Sequence, residues 1–151
     1  RSFSEGGFTL IELLVVIAII GLLSALAVVS LGNIREKGRD TKRLSDMDAF
    51  RTAMEVINSE NGSYLTNLGC TKGILKTCVG GQLEKYLPTL KNMADPVGTV
   101  GCRTDCSKTC DYEFNLVTDK TFDVKFYMEN GAGQFKEAGC YSITEKGIGK
   151  L

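Results

Sequence analysis

Between Leu13 and Ile34 the chain runs for 22 residues without a charged side chain, and one acid, Glu12, stands at the mouth of that run. As a helix rising about 1.5 Å per residue, such a segment is long enough to cross the ~30 Å hydrocarbon core of a bilayer. A helix apolar on every side belongs in lipid or inside a bundle. An ionisable group in hydrocarbon is costly and normally has a partner. Where Glu12 finds its positive charge is therefore the question the sequence poses.

A secretory signal peptide is the first rival reading. Its apolar region is typically about 7–15 residues long, with the cleavage site after it. Here the apolar run is longer, and the Gly6-Gly7 pair precedes it. After Leu31 the pattern changes to a mixed, net basic stretch of Arg35, Glu36, Lys37, Arg39, Asp40, Lys42 and Arg43. This reads as a solvated face, or as one salt-bridged to other subunits, with contact to lipid headgroups or DNA as weaker alternatives. Leu44, Met47, Phe50, Met54 and Ile57 then recur at helical spacing among Asp46, Asp48, Arg51 and Glu55. That is an amphipathic stripe. No proline interrupts residues 8–60, although Gly21, Gly32 and Gly38 weaken a helix locally. The pattern predicts one long helix, with a bend allowed by those glycines, ending at Asn61-Gly62.

Residues 63–110 have weak periodicity and predict a long Cys-rich loop with a short helix near Gln82–Leu87. Asp95-Pro96-Val97-Gly98 has turn chemistry. Tyr112, Phe114 and Leu116 alternate with Glu113 and Asn115, and Phe122, Val124, Phe126 and Met128 with Asp123, Lys125 and Tyr127. With Thr118-Asp119-Lys120 between them, these are two strands of a hairpin with one apolar face. A third strand is expected at Cys140–Ile143. The fold class is α+β, with the amphipathic half of the helix on the apolar face of a small antiparallel sheet.

The six cysteines, Cys70, Cys78, Cys102, Cys106, Cys110 and Cys140, all follow the apolar run. An even count on one side of a membrane span points to disulfides in an oxidising compartment. Cys70 is expected with Cys78, and Cys140 with one of Cys102, Cys106 and Cys110; sequence alone leaves the other pairings open. The 102/106/110 trio also has the form of a thiolate metal site. With no histidine in the chain, zinc there would need a fourth cysteine or a carboxylate.

Eighteen basic and 18 acidic residues cancel, which does not support DNA as a partner. The absence of histidine removes the commonest acid–base participant, and no other catalytic constellation is present. Gly131-Ala132-Gly133 lacks the third glycine of a dinucleotide loop. Asn61-Gly62-Ser63 has the form of a glycosylation sequon, which turn chemistry explains as well.

The block Gly7-Phe8-Thr9-Leu10-Ile11-Glu12-Leu13-Leu14-Val15-Val16-Ile17-Ala18-Ile19-Ile20-Gly21 closely resembles the N-terminus of type IV pilins and pseudopilins. Asn61-Gly62-Ser63-Tyr64 and the order of helix, loop and strands are similar to that superfamily too. The resemblance implies a leader, residues 1–7, cut between Gly7 and Phe8 by a membrane prepilin peptidase, with N-methylation of Phe8. It implies a filament-core or transmembrane helix, residues 8–34, and an exported disulfide-rich head completed by the amphipathic half of the helix, residues 35–151. Two departures stand out: the residues before Gly7 carry only Arg1 against Glu5, where such leaders are usually basic, and Val29 stands where many pilins have a helix-breaking proline. The positive-inside rule would hold the basic Arg35–Arg43 stretch in the cytoplasm, whereas the cysteines and the cleavage block place the head outside.

In that family setting, Glu12 pairs with the Phe8 ammonium of a neighbouring copy, a charge that exists only after cleavage. Read alone, Glu12 complements the helix dipole and snorkels to the headgroups. Implied partners are other copies in a helical filament, other pilins, the peptidase, an assembly platform, and the inner membrane before assembly. A surface filament, a minor pilin, or a pseudopilin of a secretion or DNA-uptake system all fit, with a non-polymerising anchored module as the rival. No cofactor is expected, apart from calcium as a weak candidate at Asp95, whose turn is similar to one in secretion pseudopilins.

Overall fold

The computed structural model describes residues 7–151, excepting the side chains of Val29 and Ser30; residues 1–6, the greater part of the expected leader 1–7, lie outside the described residues. Helix α1 is continuous over Leu10–Asn61, 52 residues, with no break at Gly21, Gly32 or Gly38. The chain divides into two compact units, Arg1–Arg35 and Glu36–Leu151.

In the first unit the large apolar side chains stand open. Leu10 is 77% exposed, Ile17 56%, Leu22 68% and Leu26 67%. Ser24 Oγ donates to Ile20 O at 2.7 Å, which absorbs the hydroxyl within the helix itself. Nothing among the described residues of this unit covers its apolar surface.

In the second unit, one face of α1 is fully buried at Met47, Phe50, Met54 and Ile57. The sheet it covers is an antiparallel meander in the order β1-β2-β3-β4-β5, made of β1 (Gly73–Ile74), β2 (Glu113–Val117), β3 (Phe122–Met128), β4 (Gly139–Thr144) and β5 (Gly147–Lys150). Strand β3 alternates as the sequence implies, with Phe122, Val124, Phe126 and Met128 all buried. Phe50 meets Phe114 and Phe122 edge-on, with ring centroids 5.7 and 5.6 Å apart. Tyr64 also meets Phe122 edge-on, with ring centroids 5.0 Å apart. Such aromatic pairs add about 0.5–1.5 kcal/mol each beyond the area they bury.

Strand β2 departs from the simple alternation. Its register against β3 shifts between Phe114 and Leu116, so Phe114 faces Val124 while Val117 faces Phe122. The extra residue is a β-bulge, which turns the following side chains over. Leu116, expected on the apolar face, is 51% exposed, and Val117 is buried in its place.

The middle of the chain carries more structure than a loop. Helix α2 (Gln82–Tyr86), 3₁₀ turns at Leu75–Thr77 and Leu90–Asn92, and β1 set Leu68, Leu75, Leu83, Leu90 and Met93 into the core. Three disulfides pin it: Cys70–Cys78, Cys102–Cys110 and Cys106–Cys140, the last closing the longest loop, 34 residues apart in sequence. Cys140 takes Cys106 from its three possible partners.

Candidate functional site

At its N-terminal end the chain enters α1 through Thr9. Thr9 Oγ1 accepts from the Glu12 backbone N–H at 3.3 Å, while Glu12 Oε2 accepts from the Thr9 backbone N–H and the Thr9 hydroxyl, both at 2.8 Å. This is a capping box, with threonine at the N-cap and glutamate three residues on, and it satisfies two of the helix's orphan donors. Thr9-x-x-Glu12 is readable as a capping signature, and Thr9 is the residue beside Glu12 to which the sequence analysis gives no role. Both local bonds fall on Oε2. Glu12 also lines a shallow recess of about 360 Å³ with Phe8, Ile11, Val15 and Val16. Phe8 itself is 87% exposed. A Cβ added at Gly7 would meet nothing within 4 Å. The peptide between Gly7 and Phe8 is thus in open, irregular backbone preceding the first helical turn.

The other concentration of charge lies in the second unit and reorders the basic stretch. Extrapolated backwards, the buried stripe Met47-Phe50-Met54-Ile57 lands on Arg43 and then Asp40, and both are completely buried. Arg43 donates from Nε and Nη2 to the two oxygens of Asp95 (2.5 and 3.0 Å), and from Nη1 to Asp40 at 2.7 Å and Glu129 at 2.8 Å. Arg39 grips the same Glu129 with Nε and Nη2 at 2.6 and 2.7 Å. Lys42 pairs along the helix with Asp46. The expected solvated or inter-subunit face is therefore, at Arg39, Asp40 and Arg43, an internal clasp; Arg35 and Lys37 remain exposed.

The clasp fixes two loops. Asp40 accepts from the backbone N–H groups of Glu129, Asn130 and Gly131 at 2.8–2.9 Å. Gly131 has φ +79°, and a Cβ there would lie 2.3 Å from Phe135 O, so only glycine lets the backbone close on the carboxylate. Asp95 Oδ1 accepts from Val97 N (2.9 Å) and Gly98 N (2.6 Å), which makes the Asp95-Pro96-Val97-Gly98 turn. Asp95, the calcium candidate, thus has both carboxylate oxygens engaged, and its own N–H donates to buried Asp111 at 2.9 Å.

Electrostatics follow this geometry. Burial pulls the Arg43 guanidinium towards neutrality, but its bonds to Asp95, Glu129 and Asp40 outweigh that, and its pKa is raised. Glu129 is held below the usual carboxylate range by the hydrogen bonds from Arg39, against the effect of its partial burial and with help from Arg43. Burial pushes the Tyr64 hydroxyl up to about 12, and the neighbouring Glu55 adds to the shift. Among the described residues, one cluster has metal-ligand spacing: the Sγ atoms of Cys102, Cys106 and Cys110 lie within 4.8 Å of one another, all three in disulfide bonds.

Residues 3–28 match the model of the prokaryotic N-terminal methylation motif. The chain is similar to the type II secretion system core protein G of Klebsiella michiganensis, 38% identical over 87 residues, covering 57% of this chain and 61% of that one. It is similar to the prepilin peptidase-dependent protein D of Escherichia coli, 43% identical over 70 residues and 46% and 48% of the two chains. It also resembles the type IV major alpha-pilin of Moraxella bovis, 32% identical over 83 residues and 49% and 52% of the two chains. The matches span about 40 to 61% of the length of the secretion relatives. No solved structure matches the chain.

Proposed function

Because this chain belongs to the type IV pilin and pseudopilin superfamily, we propose that it is the structural subunit of a type IV pilus or related helical filament, cut between Gly7 and Phe8. The observation that carries this reading is the end of α1. An apolar surface left open at the described side chains from Leu10 to Ile34 is preceded by exposed Phe8 and led by a carboxylate whose local bonds both fall on Oε2. Cleavage would give Phe8 an ammonium group, subsequently methylated, for the Oε1 oxygen of a neighbour's Glu12 to meet. An acid costs up to about 2.5–3.5 kcal/mol at the centre of a membrane helix on insertion scales and less near the end where Glu12 stands, and a counter-charge offsets it. The pair would set the register between otherwise slippery helices, a role known for some buried polar contacts.

Before assembly the subunit is held in the membrane by residues 8–34; packing of its Leu, Ile and Val side chains against further copies would build the filament core. Small residues such as Ala18, Gly21 and Ala25 allow close approach, since lipid gives apolar surface no incentive to leave it. The partners are then copies of itself and other pilins, the prepilin peptidase and an assembly platform. The relatives named for type II secretion favour, as a second reading, a pseudopilin of a secretion filament over a surface pilus.

Mass spectrometry of the native N-terminus and electron microscopy of sheared filaments test the proposal. The mature chain should begin with methylated Phe8. Glu12→Ala should be processed normally yet give no filament. A normal polymer from that variant, or a chain uncut at Gly7, would leave an anchored module that does not polymerise.

A further inference from the structure

The two disulfides around Cys106 differ in burial and share one small volume. Cys102 and Cys110 are each 1% exposed. Cys106 and Cys140 are half-buried, and the residues preceding Gly139, Glu137 and Ala138, are open to solvent. Cys106 Sγ lies within 4.8 Å of both sulfurs of the Cys102–Cys110 bond. Cys140 is not part of this close cluster. Thiol–disulfide exchange requires a thiolate able to reach a disulfide sulfur, and its rate depends on access and on which sulfur is attacked.

We propose that Cys106 is a resolving thiol, and that the Cys102/Cys106/Cys110 cluster is the site through which an external thiol rearranges the disulfides of the second unit. An external thiolate attacks Cys140 Sγ. A mixed disulfide forms there, the Cys106–Cys140 bond breaks, and Cys106 leaves as a thiolate. Cys106 then attacks Cys110 Sγ, forming Cys106–Cys110 and expelling Cys102 as a thiolate, or attacks Cys102 Sγ and expels Cys110. Each exchange conserves disulfides and thiolates, so no net oxidant or reductant is consumed. In the reverse direction the expelled thiolate restores Cys102–Cys110, and Cys106 then displaces the external thiol from Cys140. The external route enters at the half-buried bond, and the buried bond is reached only through Cys106. Cys70–Cys78 takes no part.

The test uses the full chain in detergent, held at mildly alkaline pH, quenched with acid, alkylated and mapped by mass spectrometry. In Cys140→Ser the alkyl label should appear on Cys102 and Cys110 as well as Cys106, with Cys70–Cys78 intact. In Cys106→Ser the label should stay on Cys140 alone. Label confined to Cys106 in the first variant overturns the proposal, and so does equal scrambling in both, which would signal exchange through general unfolding. The unaltered chain treated with a trace of reduced glutathione covers the case in which Cys140→Ser does not fold. A Cys106–Cys110 or Cys102–Cys106 link should then appear. If no such link forms, Cys106 has no resolving role.

Discussion

Arg43 occupies a helix position that the 3–4 repeat reserves for a core side chain, and it is tolerated because three carboxylates come to it. Two of these, Asp95 and Glu129, lie on loops far away in sequence, so a single guanidinium fastens both loops to α1. Removing one partner of a buried ion pair leaves the others charged and dry, at a cost of about 3–5 kcal/mol. Arg43→Ala should therefore lose that much stability in a denaturant titration, whereas Lys37→Ala, exposed and outside the clasp, should stay within about 0.5 kcal/mol of the parent. Glu129 adds a pH dependence whose sign is fixed. Its folded pKa is depressed below the unfolded value of about 4.3, so it binds fewer protons folded than unfolded. Its contribution is present above that pH and is lost as pH falls through the folded pKa. Glu129→Gln should accordingly be less stable than the parent near neutrality, and its stability should fall less steeply on acidification. Parallel curves for the two proteins between neutral and strongly acidic pH would contradict the Arg39 and Arg43 contacts.

At the scale of elements, legibility tracked how simple each element's periodicity is. The long helix, its end at Asn61, strand β3 and the short helix α2 could be read from spacing and turn residues, because one repeat governs each. Strands β1 and β5 could not: Gly73–Ile74 and the Gly-Ile-Gly-Lys of β5 contain no alternation long enough to register, and they are strands only because a neighbour supplies the ladder. The clasp stayed hidden because Asp40 and Arg43 look solvated by residue type. Only the helical register betrays them, two steps before Met47. The bulge in β2 is the remaining gap, since nothing local in Phe114-Asn115-Leu116-Val117 marks the residue at which the alternation turns over. That leads to opposite expectations for adjacent side chains. Val117→Ala should cost about 1–2 kcal/mol from the buried methyl groups lost, and Leu116→Thr should be nearly neutral. Unfolding midpoints of the two variants measure this directly, and the reverse ranking would restore the unbulged strand.

At the scale of the whole molecule, the two units depend on different things. From Glu36 onward the chain has its own buried core, the Arg43 clasp and three disulfides, each disulfide closing a loop within that unit. Crosslinks of this kind limit the freedom of the unfolded chain, so most of the stability of a small domain can be secured without help from outside it. Among the described residues, the unit before it shows no such resources: Leu13 is 61% exposed, Ile20 56% and Leu23 60%, a surface for lipid or other helices to cover. Arg39, Asp40 and Arg43 all lie after the boundary at Arg35, so removing the first unit leaves every clasp contact in place. A chain that starts at Glu36 should therefore be soluble without detergent, sediment as a monomer, give the same three disulfides on peptide mapping and unfold in one cooperative transition. The chain that keeps the first unit should need detergent or a filament to stay dispersed. If the shortened chain instead aggregated or melted without cooperativity, the head would depend on the apolar helix for its folding, and the division of labour between anchoring and folding would have to be abandoned.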